Sequence, residues 1–322
     1  MRATIGWVSR IALLDPGKTG GTTLVNQKSV SAHYDASAAG YHLQYQKELL
    51  SDLSREYPAN YFRLQMVLNS CVEKGVKRVI EVGVGEGTPL VTLAKAGMEV
   101  AGFDISEEMV KKSKTTLSSN GLNPDNIIWG DIQDPASYAA LAGNRQYDAL
   151  LAMGVMPHIR NDAETLTNMK ALVKPGGSVF IEFRNKLFSL FTFNRYTYEF
   201  ILEDLLAGVS PEIKNLVAAN LKKRLEMEKP TARIQHDENQ AAPGYDAILS
   251  KFHNPFEVAD LFREFGFREI KFLWYHYHPA MPYLSEANQA LFREEALKLE
   301  HESSGWRGFF LCSAFVIEAV KE

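Results

Sequence analysis

Cysteine is almost missing: Cys71 and Cys312 are the only two in 322 residues. They lie far apart, with no Cys-x-x-Cys or Cys/His spacing, so neither a disulfide framework nor a zinc site is indicated, and no metal is expected. A reducing, cytoplasmic setting is the expectation. Long apolar runs are missing too, and none approaches the roughly 20 residues of a membrane span. The stretch from Ile5 to Leu14 is short, is interrupted by Ser9 and Arg10 and lacks the small-residue cleavage pattern of a signal peptide. A soluble chain with no membrane partner follows. Charge of one sign is scarce as well: the formal net charge is only −4, which gives no global attraction to polyphosphate. A small-molecule partner is expected, not a nucleic acid.

One phosphate-loop look-alike, Ala12-Leu13-Leu14-Asp15-Pro16-Gly17-Lys18-Thr19, has alanine in place of the motif's first glycine, and no helix pattern follows it. Residues 1–29 therefore read as a mobile N-terminal segment.

From Val76 onward, short runs rich in Val and Ile alternate with helical segments, the signature of βαβ units and a parallel sheet. Strands are expected at Arg78 to Val82, Glu99 to Asp104, Asn126 to Asp131, Tyr147 to Met153 and Ser178 to Phe183. The helix Ser106 to Ser119 starts with a serine cap and acidic Glu107 and Glu108, and ends at Asn120-Gly121. After Arg184 the rhythm breaks. Residues 185–254 read as a helical insertion whose Phe and Tyr content is too apolar for a solvated tether. The sheet pattern resumes in residues 255–322 with a helix Phe256 to Phe265, a strand Glu269 to Tyr277, a polar helix Ser285 to Glu300 and a last strand Phe309 to Val320. The fold class is α/β, a doubly wound Rossmann-like sheet with residues 30–184 as its cofactor-binding part.

The strongest local signal is Arg78-Val79-Ile80-Glu81-Val82-Gly83-Val84-Gly85-Glu86-Gly87, a β-branched strand running into alternating glycines that let backbone approach a ligand. A dinucleotide site uses the same physics, but its third glycine would fall on Thr88. Glu81 at the strand end suits an ammonium group and would repel a pyrophosphate. Asp104 and Asp131 end the next two strands, where carboxylates can accept from ribose hydroxyls and an adenine amine. S-adenosylmethionine is thus favoured over NAD. An NAD(P)-dependent oxidoreductase and a catalytically silent cofactor-binding protein stand as the alternatives.

With these residues, with Gly130-Asp131-Ile132, Met153-Gly154-Val155-Met156-Pro157-His158 and Leu172-Val173-Lys174-Pro175-Gly176-Gly177, the chain resembles the class I S-adenosylmethionine-dependent methyltransferases. The likeness is to the small-molecule branch that includes glycine and sarcosine N-methyltransferases and quinone-biosynthesis methyltransferases. The resemblance implies a seven-stranded sheet with an antiparallel last strand. It also implies methyl transfer to oxygen or nitrogen, less readily carbon. In such relatives Tyr34 or Tyr41, in the segment from Ala32 to Tyr41, would touch the methionine end of the cofactor. The cofactor set it implies is Tyr34, Tyr41, Glu81, Gly83, Gly85, Asp104, Ile105, Met109, Asp131, Ile132 and Met153.

A sulfonium methyl needs mainly an aligned nucleophile, and a base only where the nucleophile must lose a proton. His158, beyond the fourth strand, is the first candidate base, and His33 on the covering segment is the second. Arg184, Asn185, Arg195, His253 and His278 are candidate acceptor-binding residues, with the insertion read as a lid. His276 and His278 alternate on one strand and should share a face. The Asp/Asn-Pro-Pro-aromatic motif of DNA amino-methyltransferases and the Pro-Cys of cytosine enzymes are both missing.

Overall fold

The structure, a computed structural model, describes residues 29–35, 45, 50, 57–143, 146–225 and 248–322. The expected N-terminal segment, the phosphate-loop look-alike and Tyr41 lie outside the described residues.

The first helical pieces are residues 29–35 and α1 (Ala59–Glu73), followed by β1 (Arg78–Val82), α2 (Thr88–Lys95), β2 (Glu99–Asp104), α3 (Glu107–Ser119) and β3 (Ile127–Trp129). Then come β4 (Tyr147–Ala152), α4 (Asp162–Leu172) and β5 (Val173–Arg184). Short helical turns and a π-helical turn, Phe200–Leu205, lead to α5 (Pro211–Arg224). The chain finishes with α6 (Pro255–Glu264), β6 (Phe267–Tyr277), α7 (Gln289–Leu299) and β7 (Cys312–Lys321). Among the described residues no helix is long and apolar enough to cross a membrane.

The seven strands form one sheet in the order β3-β2-β1-β4-β5-β7-β6. Strands β1 to β5 pair in parallel, while β7 runs antiparallel to both β5 and β6. The central strands β1 and β4 are largely buried because both faces of the sheet are covered there, whereas the edge strand β6 exposes Arg268, Glu269 and Lys271. On β1, Ile80 and Val82 enter the core that includes Leu166 and Met169 of α4 and Val258 and Phe262 of α6. Val79 points the other way, into a core with Val67 and Cys71 of α1. The order in which strands are added reverses between β1 and β4, which run parallel, so a crevice opens at the carboxyl ends of those two strands.

The Ser106 hydroxyl accepts from Met109 N–H and caps α3 as its sequence implies. Other boundaries move for local reasons. The last strand begins at Cys312 rather than Phe309, because residues Gly308–Leu311 form a helical turn packed on Trp274. A Cβ on Gly308 would lie 2.1 Å from the Trp274 ring, so only glycine permits this approach. Strand β6 starts two residues before Glu269, which takes φ 54° where the register with β7 shifts between Arg268 and Lys271. That is a bulge.

Candidate functional site

The crevice between β1 and β4 holds a cavity with about 770 Å³ of atom-free space, part of it open to solvent. Its wall is built by the loop after β1. Gly83 N–H donates to the Phe103 carbonyl at 2.8 Å, which turns the chain off the sheet at φ +74°. A Cβ there would stand 2.8 Å from Val155 Cγ2 on the loop after β4. The next turn aims Gly85 N–H at Asp104 Oδ2, 2.9 Å away.

Asp104 is fixed at both oxygens, since Oδ1 accepts from Ser106 N–H at 2.9 Å. Burial pushes its carboxyl up to about 6, against the lowering effect of these N–H groups. A carboxylate has about four lone-pair sites, so capacity remains for hydroxyl donors. Glu81 is 1% exposed, and its Oε2 has no hydrogen-bond partner among the described residues. Burial raises its carboxyl well above the usual range; Arg63 opposes this, and the neighbouring Asp104 and Glu86 add to it. Glu81 lies with Tyr45, Gly83, Gly85, Glu86 and Met153 around a smaller adjoining hollow. Asp131, half-buried past β3, accepts Gln133 N–H at 2.9 Å and lines the main cavity beside Ile132. Phe103 and Tyr138 stack behind it with centroids 4.5 Å apart.

These residues fit S-adenosylmethionine. Glu81, Glu86 and Asp104 crowd one end of the crevice, and the cation acting on Glu81 is Arg63, which is also tied to Glu182. An orphaned carboxylate oxygen in a low-dielectric site is satisfied by an ammonium donor, whereas a pyrophosphate there would add repulsion.

His158 lies across the cavity. Its Nδ1 is 2.6 Å from the Leu249 carbonyl and its Nε2 is 3.0 Å from the Tyr34 hydroxyl. A carbonyl only accepts, so Nδ1 carries the proton and Nε2 is the basic nitrogen, accepting from Tyr34. Burial lowers the imidazole to about 4; Arg184 and His33 act in the same direction, against the Leu249 carbonyl and Glu182. The ring is therefore neutral at pH 7.

The main cavity brings together Tyr34, Gly83, Gly85, Asp104, Ile105, Met109, Asp131, Ile132, Met153 and His158. His33 stands outside that lining, edge-on to Tyr34 with centroids 5.2 Å apart. The five candidate acceptor-binding residues do not line it either. Arg184 donates to Ser250 Oγ at 2.5 Å and sits 6.0 Å over the Phe252 ring. Asn185 is fully buried, its amide spent on the carbonyls of Phe309 and Cys312 at 2.9 and 2.8 Å. Arg195 is near Glu199 at 3.4 Å. His253 bonds Asp162 Oδ2 at 3.2 Å. His278 packs between Phe188 and Phe292, and its ring is 4.9 Å from that of His276, so the two histidines share a face. Among the described residues no group of three or more His, Cys, Asp or Glu is arranged to hold a metal ion.

Three participants carried no sequence signal: the Leu249 carbonyl, Arg63 and Glu182. The last two form a buried ion pair between α1 and β5, far apart in the chain.

A family model described as a methyltransferase domain matches residues 53–272. The chain is 28% identical over 171 residues to a ubiquinone biosynthesis O-methyltransferase of Azoarcus sp. (strain BH72), covering 53% of this chain and 71% of that protein. It is 29% identical over 138 residues to the protein of the same name from Aromatoleum aromaticum, covering 43% of this chain and 57% of that one, so it spans less than two thirds of this second relative. Its fold matches magnesium protoporphyrin IX methyltransferase from Synechocystis PCC 6803 with bound SAH, at a TM-score of 0.51 and 13% identity over 92% of this chain and all of the other. With the strand order, the glycine bend and the acidic strand ends already in place, the chain belongs to the methyltransferase-domain family and is a class I S-adenosylmethionine-dependent methyltransferase.

Proposed function

We propose that the enzyme methylates a hydroxyl oxygen of a small-molecule acceptor, with His158 as general base. S-adenosylmethionine, when bound, supplies a methyl group on a sulfonium, a leaving group that needs no protonation. The chain's residues bind, orient and deprotonate. Glu81 takes the ammonium group, Asp104 the ribose hydroxyls and Asp131 the adenine amine, while Ile105, Met109, Ile132 and Met153 wall the cavity and Gly83 and Gly85 admit close approach. Tyr34 covers the crevice from the helical residues 29–35. Arg184 bounds the acceptor side beyond His158, and the insertion serves as its lid.

The observation that carries this reading is the orientation of the His158 ring. The Leu249 carbonyl fixes the proton on Nδ1, which leaves Nε2, directed at Tyr34 in the cavity wall, as the proton acceptor. Alignment of a nucleophile supplies about 7–11 kcal/mol. A hydroxyl must also lose a proton, and a positioned base adds roughly 10²–10⁴-fold. The O-methyltransferase names of the relatives support oxygen over nitrogen. The test is a mass-spectrometric transfer assay over matched hydroxyl and amine acceptors, with the wild type and His158→Gln. Transfer to hydroxyls, reduced about 100-fold in the variant, is expected. Transfer confined to amines, or unchanged in the variant, would overturn the proposal.

A further inference from the structure

The chain returns from the insertion through residues 248–253, and this strap is bound to the base and its supports. Leu249 O meets His158 Nδ1 at 2.6 Å, Lys251 N–H donates to the Pro157 carbonyl at 2.8 Å, and His253 N–H donates to the Arg184 carbonyl at 2.7 Å. One carboxylate ties the strap's side chains down. Asp162, in the first turn of α4, pairs with Lys251 Nζ through Oδ1 and accepts from His253 Nε2 through Oδ2 at 3.2 Å.

We propose that Asp162 is a positioning residue that sets the tautomer of His158 by holding this strap in place. The proposal rests on His158 being the base. Asp162 does not touch the imidazole; it acts through the strap, two residues along from Leu249. His253 is 7% exposed, and its Nδ1 has no partner among the described residues, so Asp162 provides the ring's one hydrogen bond there. Losing it leaves a buried donor unsatisfied, and that penalty falls on the strap. A loosened strap lets the Leu249 carbonyl leave Nδ1. The ring can then carry its proton on Nε2, where it cannot accept one from the substrate.

A carboxylate that merely favours the start of α4 would leave the imidazole unchanged, so the tautomer discriminates. The measurement is long-range ¹H–¹⁵N correlation of histidine side chains in the full-length enzyme at pH 7, with His158 assigned by its loss in His158→Gln. The wild type should show Nδ1–H alone. Asp162→Ala should show a mixture with Nε2–H and a fall in kcat of about fivefold or more, since only the Nδ1–H fraction can act. Asp162→Asn, which keeps an acceptor for His253, should restore much of the wild-type spectrum. Lys251→Met, a milder loosening, carries the same test if Asp162→Ala does not fold by circular dichroism. A pure Nδ1–H spectrum in a folded loosened variant would overturn the proposal. A shifted tautomer with unchanged kcat would support the strap's role and overturn the assignment of His158 as base.

Discussion

Each acidic residue in the crevice has its own electrostatic setting, and the pH behaviour of binding follows from Asp104. Its carboxyl is held near 6, and in the role proposed for it, accepting from both ribose hydroxyls, it must be ionised. Affinity for S-adenosylhomocysteine should therefore fall as pH is lowered, by at least about tenfold per unit below pH 6, as calorimetry would read it. A flat profile from pH 8 to 5 would contradict this. His158 is shifted the other way, and as a base it too is lost on protonation: burial holds it at about 4, so with cofactor and acceptor saturating the acid limb of kcat should have its midpoint near pH 4 rather than at the usual 6.5. The placing of the three acids around the crevice was legible in the sequence because a charge at the end of an apolar strand stands out, and that of His158 because it follows the fourth strand closely. Leu249 was not, since it acts through a backbone carbonyl that no side chain announces. Nor was Asn185, whose polar side chain beside β5 suggested substrate contact but is consumed by bonds to its own chain.

The element that matters most is the β1 strand with its glycine bend, and its fit against β2 is tight. A Cβ on Gly102 would lie 2.3 Å from Val84 Cγ1 and 2.6 Å from the Glu81 carbonyl oxygen. Gly102→Ala is expected to lower stability by about 1–3 kcal/mol through forced backbone shifts and to weaken S-adenosylhomocysteine binding by displacing Glu81. Denaturant midpoints and calorimetry on one preparation would measure both, and unchanged values would show that the bend is not constrained by β2. Helix α3 was readable because its cap and its Asn120-Gly121 end are local chemistry. The start of β7 was not: Phe309, Phe310 and Leu311 look like a strand alone, and only the contact of Gly308 with Trp274, remote in sequence, winds them into a turn.

Across the whole molecule, groups with opposite proton linkages are buried together. His158 and His276 are lowered to about 4 and His278 to about 3, chiefly by burial. Unfolding lets them take up protons between those values and 6.5, so each contributes stability that is lost as pH falls through that window. Glu300, raised to about 7, Asp104, raised to about 6, and Glu81, raised well above the usual carboxylate range, are shifted the other way by burial, so they gain protons on folding and stabilise as pH falls. The two sets offset one another. The ligand-free Tm should vary little between about pH 6.5 and 5. The S-adenosylhomocysteine complex, in which the proposed contacts require Asp104 and Glu81 to ionise, should lose stability over the same range. Parallel slopes with and without ligand would contradict this linkage. The parallel order of β1 to β5 was legible because alternating strand and helix patterns leave few topologies. The surroundings of His158 were not, because the Leu249 carbonyl and the contacts of Lys251 and His253 with Asp162 join segments remote in sequence.

The most direct test of the central claim is a crystal structure of the enzyme with S-adenosylhomocysteine. The expected result has the amino group on Glu81, both ribose hydroxyls on Asp104 and the adenine beside Asp131 and Ile132. Ligand bound elsewhere, or a Glu81 carboxyl left without a partner beside a bound ligand, would contradict it.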